Sequence, residues 1–201
     1  MSEFLSKENL TPISGFLVIV FYCIFMLISW AFYPFEYAPW SHYLSRLGNF
    51  NNSPFGAYFY NWGCILTGLA LFPFFIGLYI WYSANMLKKL LVVIGQGLGV
   101  SSAIALILIG VFSENLGEPH MTASSTFFLI NFFTLIVLGV ALALHTEFPI
   151  LLGLYGIFVS ISSLLMALTI GGPITEWYTV FASLLFVGLV SFRTRQVFHQ
   201  S

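Results

Sequence analysis

Residues 110–128 read GVFSENLGEPHMTASSTFF and bring Glu114, Glu118 and His120 within seven positions, in a chain that is only 6% charged. An imidazole beside carboxylates can do two kinds of chemistry. With a glutamate to orient it, His120 is a general base, which makes His120, Glu114 and Glu118 the candidate catalytic residues. With His42 from another loop, His120 and either Glu118 or Glu114 form a three-ligand N/O set for zinc, which leaves a position open for a water whose pKa the metal lowers. The chain has neither an HExxH motif nor any aspartate, so such a set has to be assembled from separate loops. Glu118 also has a simpler role, since a glutamate just ahead of Pro119 favours the positive end of a helix dipole.

A second group suits recognition of a head group. Arg46 is a planar guanidinium able to hold phosphate or carboxylate through two parallel hydrogen bonds. Ser45, Asn61, Ser124 and Glu176 complete this candidate lipid-binding set. Each has a structural alternative: an ion pair with a glutamate for Arg46, interhelical bonding for Asn61, and a helix N-terminus for Glu176. From His120, Ser124 and Asn131 recur at helical spacing on one face, and Ala57, Asn61, Cys64 and Gly68 form a small, polar stripe on another segment. Similar stripes at Gly95, Gly99 and Ser102, and at Gly153, Gly156, Ser160 and Ser163, read as packing seams. Cys23 and Cys64 sit in apolar runs and read as free packing thiols.

The solvent that positions these groups is set by composition. The 201 residues are 59% hydrophobic and 19% aromatic, with net charge −1 and mean hydropathy +0.96; soluble domains carry about 25% charged residues. The chain is therefore expected to be an all-α integral membrane protein, a single six-helix transmembrane domain in the cell membrane. No basic tract points to nucleic acid, so membrane lipids and other membrane proteins are the expected partners. Uncharged runs long enough to span lie at about 13–33, 55–82, 90–112, 120–144, 149–170 and 174–192. The first run, preceded by the amphipathic stretch SEFLSKENL and lacking a cleavage site, reads as a retained helix. The loop FEYAPWSHYLSRLGNFNNSPFG mixes aromatic and polar residues and is expected to lie in the membrane interface. Six spans put Lys7, Lys88, Lys89, Arg193 and Arg195 on one side and Arg46 on the other, which predicts cytoplasmic termini. Glu36, Glu114, Glu118, Glu176, His42 and His120 then face outward.

Three local patterns, LSRLGN with Asn61 and Gly63, GVFSENLGEPH with Ser124, and GGPITEW, together resemble a prokaryotic six-helix membrane family known as a domain of unknown function. That family is distantly similar to the Frag, DRAM and Sfk group of eukaryotic membrane proteins. The resemblance implies Ser45, Leu47, Gly48, Asn61, Glu114, His120 and Glu176 as the matching positions, and a loose connection with membrane lipids. The chain departs from the pattern at Arg46, Ser113 and Trp177, where members often carry an acidic residue, a proline and an arginine.

Two functions stay open on the sequence. One is a lipid-related binding or regulatory role at an extracytoplasmic polar site; the other is a membrane-embedded enzyme, metal-dependent or not, acting on a lipid head group. A small transporter is a third reading, although no span carries an ionisable group at its middle.

Overall fold

In the computed structural model, residues 9–198 are described; the stretch around Lys7 lies outside them. Six helices follow one another: α1 Leu10–Ala31, α2 Gly56–Gly77, α3 Met86–Val111, α4 Glu118–Ala143, α5 Ile150–Thr169 and α6 Gly172–Phe198. No strand occurs among the described residues. All six are long and apolar enough to cross a membrane. At 1.5 Å per residue, 20 residues of α5 span about 30 Å and 26 residues of α4 about 39 Å, matching a hydrocarbon core of about 30 Å and its flanking head groups.

Each helix packs against its neighbours in the chain, and α6 returns to α1, so the six form a closed ring. In lipid this packing depends on close backbone approach. The Gly139–Gly153 crossing shows it for α4 and α5: a Cβ built on Gly153 would lie 2.6 Å from the Gly139 carbonyl oxygen. Gly95 takes Leu138 of α4, and Gly99 takes Phe75 of α2, so the glycine stripes of α3 and α5 are packing seams.

Helix ends correct the expected boundaries in three places. The second run does not continue as one helix to Tyr82: α2 stops at Gly77 and a tight helical turn, Leu78–Trp81, finishes the crossing. Trp81 is fully buried there and donates Nε1–H to Thr194 Oγ1 at 3.0 Å. Gln96 Nε2 satisfies the Phe75 and Ile76 carbonyls at 2.9 Å each, removing the cost of ending a helix inside the bundle. Lys88 and Lys89 belong to the first turn of α3, not to a loop, because Asn85 caps that helix by accepting the Lys88 N–H. α6 runs past residue 192, and Arg193 donates to the Glu147 carbonyl oxygen.

The chain reversals after α1, α3 and α5 share one end of the ring, here called the mouth. Gly117, Gly171 and Gly172 take left-handed conformations in two of these reversals, with φ of 72°, 63° and 68°. Lys88, Lys89, Arg193 and Arg195 lie at the opposite end.

Candidate functional site

The loop between α1 and α2 folds into the mouth. Its segment Leu44–Gly48 makes one tight helical turn, and Leu44 and Leu47 are 0% exposed. The expectation of a loop lying flat in the interface is thus corrected for this segment: two fully buried leucines make it a plug, while Phe35 and Trp40 stay exposed. Burying its backbone requires partners for its polar groups, and four elements supply them. From α6, Glu176 Oε2 accepts the Leu44 N–H at 2.9 Å, and the carboxylate also accepts from the Ser45 N–H. From α2, Asn61 Nδ2 donates to the Gly48 carbonyl oxygen at 3.0 Å; from α1, Ser29 Oγ donates to the Leu47 carbonyl oxygen at 3.2 Å. From the α3–α4 connection, Glu114 pairs with Arg46 at 3.3 Å and accepts from Asn49 Nδ2, while Asn115 Oδ1 accepts the Phe50 N–H.

An aromatic collar surrounds the plug. Trp30 packs edge-on against Trp177 at 5.6 Å and Tyr37 at 5.4 Å, and Tyr37 stacks on His42 at 5.1 Å. Trp177 Nε1–H donates to the His42 carbonyl oxygen, and Tyr37 OH to that of Tyr43. Burial first, then the Glu176 carboxylate, pushes the Tyr37 phenol well above its ordinary range, so it stays a donor.

Below the plug, α1, α2, α3, α4 and α6 enclose a cavity of about 70 Å³. At roughly 10–15 Å³ per water by the same measure, this holds about five waters. Tyr22, Tyr60, Ser124 and Glu176 line its mouth half; Thr67, Asn131 and Ser183 lie deeper, above walls that include Leu71 and Leu135. Asn131 Nδ2 bridges to Ser183 Oγ at 3.1 Å, while Thr67 Oγ1, on a residue 1% exposed, has no hydrogen-bond partner. The burial of the lining is one-sided. Every lining residue from α1, α2 and α3 is buried, whereas Ser124, Phe127 and Phe128 of α4 and Val180, Ser183 and Leu184 of α6 are only half-buried. Asn131, Thr134 and Leu135 of α4 and Phe186 and Val187 of α6 are buried as well, so the less covered side of the cavity is confined to the mouthward stretches of α4 and α6.

His120 stands at the mouth end of α4, 2% exposed. Its Nδ1 lies 2.7 Å from the Phe112 carbonyl oxygen and its Nε2 3.3 Å from Ser124 Oγ. A carbonyl only accepts, so Nδ1 carries the proton and Nε2 accepts from the serine hydroxyl. The Phe112 carbonyl is free for this because α3 ends at Val111.

The structure thus divides the candidate residues. Arg46, Ser45, Asn61, Glu114 and Glu176 converge on the plug, with Ser124 and Glu176 also facing the cavity. Glu118 is the first residue of α4 and lines a separate open groove between α3 and α4 with Pro119, Thr122 and Phe112. His42 bonds Ser41 Oγ at 2.9 Å inside its own loop. Among the described residues no three His, Cys, Asp or Glu side chains come together as a metal site. Asn115, Ser29 and Tyr37 had no distinguishing sequence signal, because each acts on a backbone group whose position only the folded plug defines.

Residues 16–193 match the model of a family described as "Protein of unknown function (DUF998)". No curated protein and no solved structure matches the chain.

Proposed function

The chain belongs to the DUF998 family, whose function is unknown, and from that premise we propose that this multi-pass, six-helix membrane-type protein binds an amphiphile through the less covered side of the cavity, between the mouthward stretches of α4 and α6. The observation that carries the reading is the one-sided burial of the cavity lining, with Ser124 and Glu176 towards the mouth, Thr67, Asn131 and Ser183 deeper, and mostly apolar walls around both levels. The apolar walls suit the first carbons of an acyl chain next to its carbonyl group, and that polar end suits Ser124 and Glu176. The enclosed 70 Å³ is far below the several hundred Å³ of a drug-sized pocket. Only the carbonyl end of a chain enters, and the rest stays between the helices in lipid. A distant kinship with the Frag, DRAM and Sfk group through a prokaryotic branch belongs to the same proposal. Arg46, engaged by Glu114 yet 43% exposed, remains available to an anionic group at the rim.

Photoactivatable phospholipid with a diazirine in its acyl chain tests the reading. Adducts are expected to concentrate on Phe128, Val180 and Leu184, and to fall several-fold when Phe128→Trp and Leu184→Trp together narrow this side of the cavity. An even spread of adducts over the lipid-facing surface of all six helices would sink it.

The proposed orientation places the mouth outside the cell membrane and the basic end in the cytoplasm. Single cysteines at Asn51 and Ala84, both exposed, check this in a background lacking Cys23 and Cys64. Asn51→Cys is expected to react with an impermeant thiol reagent applied from outside, and Ala84→Cys to stay protected. The reverse pattern inverts the topology.

A further inference from the structure

We propose that Ser124 and His120 are a nucleophile and general base for cleaving a carboxylic ester of a membrane amphiphile, with water as the second substrate. The proposal rests on the amphiphile-binding reading of the same cavity.

Three groups stand in the order that activates a serine. The Phe112 carbonyl fixes the imidazole tautomer by accepting the Nδ1 proton at 2.7 Å, in the place a carboxylate holds in many serine hydrolases. Nε2 is thereby left as the basic nitrogen, and it meets Ser124 Oγ at 3.3 Å. That separation is longer than an optimal hydrogen bond, as is common for a catalytic pair without substrate. A helical serine ordinarily turns its hydroxyl back to the carbonyl four residues earlier. Ser125 does so with Met121, whereas Ser124 bonds the imidazole. Being 2% exposed, His120 has little freedom to leave this geometry, and Ser124 lines the cavity.

Depth selects the substrate class. Ser124 is six residues into α4, about 9 Å from its mouth end at 1.5 Å per residue. With head-group regions of about 5–7 Å on each side of the hydrocarbon, this is about 2–4 Å beneath them, within reach of the ester carbonyls of an acylglycerol-type lipid. Glu176 and Tyr60 lie about 6 Å below the mouth ends of their helices, and Tyr22 about 13 Å. Tyr60 and Tyr22 line the cavity around the serine's level; Tyr60 donates its hydroxyl proton to Tyr22, which leaves the Tyr22 hydroxyl as the donor suited to a developing oxyanion. Glu114, engaged by Arg46 and Asn49, takes no part.

The step balances without a metal or redox partner. Ser124 Oγ attacks the acyl carbonyl carbon as its proton passes to His120 Nε2. The C–O bond to the alcohol then breaks, and the alcohol leaves with that proton. Water, deprotonated by Nε2, attacks the acyl-serine, and the carboxylic acid departs as Ser124 Oγ regains the proton.

An alkyl fluorophosphonate, which phosphonylates an activated serine with loss of fluoride, is the probe, applied to the purified full chain in lipid nanodiscs. Mass spectrometry is expected to find the adduct on Ser124, with its rate at least about 100-fold lower in His120→Gln and the adduct absent in Ser124→Ala. Ser124→Ala removes one oxygen only, so it remains informative if His120→Gln fails to fold. The idea is overturned by an unlabelled Ser124 in the wild type, or by undiminished labelling in folded His120→Gln. Should labelling fail while photolipid adducts persist between α4 and α6, catalysis is rejected and binding stands; if both fail, the binding reading falls with it.

Discussion

Glu176→Ala is expected to release the plug and destabilise the protein by about 2–4 kcal/mol, because it orphans the Leu44 and Ser45 N–H groups at once. A hydrogen bond contributes about 0.5–1.5 kcal/mol net in water-soluble proteins, and a buried donor left without a partner costs about 1–3. Side-chain bonds between membrane helices average nearer 0.6, so two of them alone give little more than about 1 kcal/mol and the remainder comes from what undocks with them. Once the turn undocks, Leu44 and Leu47 also lose their burial. The change should appear as faster hydrogen exchange at the amides of residues 44 and 45 and as a Tm lower by roughly 5–15 °C, at about 2–4 °C per kcal/mol for a chain of this size. Glu176→Gln keeps one acceptor oxygen and should fall between. Glu114→Gln supplies the contrast: its ion pair with Arg46 is partly solvated, with side chains 24% and 43% exposed, and such pairs contribute at most about 1 kcal/mol. Equal losses for the two glutamates would show that the plug is not held chiefly from α6.

Gly153→Val is expected to separate α5 from α4. A Cβ at this position would stand 2.5 Å from the Ala143 backbone nitrogen and 2.6 Å from the Gly139 carbonyl oxygen. Backbone atoms inside helices cannot turn aside as a flexible side chain does, so the helices must part. Overpacking a core costs about 1–3 kcal/mol and occasionally more, and a clash with two backbone atoms of α4 belongs at or above the top of that range. Thermal unfolding in detergent should show Tm reduced by roughly 6–12 °C. Gly97→Ala is the matched control: its added Cβ meets nothing within 4 Å, and alanine favours a helix by up to about 1 kcal/mol. A Gly153→Val protein as stable as the wild type would mean that this crossing does not hold the ring closed.

Much of the architecture follows from the side chains alone. Hydrocarbon leaves a chain of this composition no alternative to helices about 20 residues or longer, and the six apolar runs mark all of them. The punctuation at Pro119, Pro149 and GGP, and the glycine stripes, likewise carry their meaning in local sequence. Boundaries at Gly77 and Asn85 do not, because each depends on a capping partner: Gln96 on another helix for the first, and the backbone of Lys88 for the second.

The candidate site divides along the same line. Sequence by itself determined which scarce polar residues share the mouth end, since charge cannot rest in lipid and an even number of crossings sorts the loops. Tertiary structure alone decided their partners: that Glu114 serves Arg46 and Asn49, that Glu176 caps the turn at Leu44, and that His120 turns to Ser124 and the Phe112 carbonyl. A hydrogen bond is made or lost within about half an ångström. Helical periodicity fixes only which face a residue occupies, so the partner is set by how the plug and the six helices close around it.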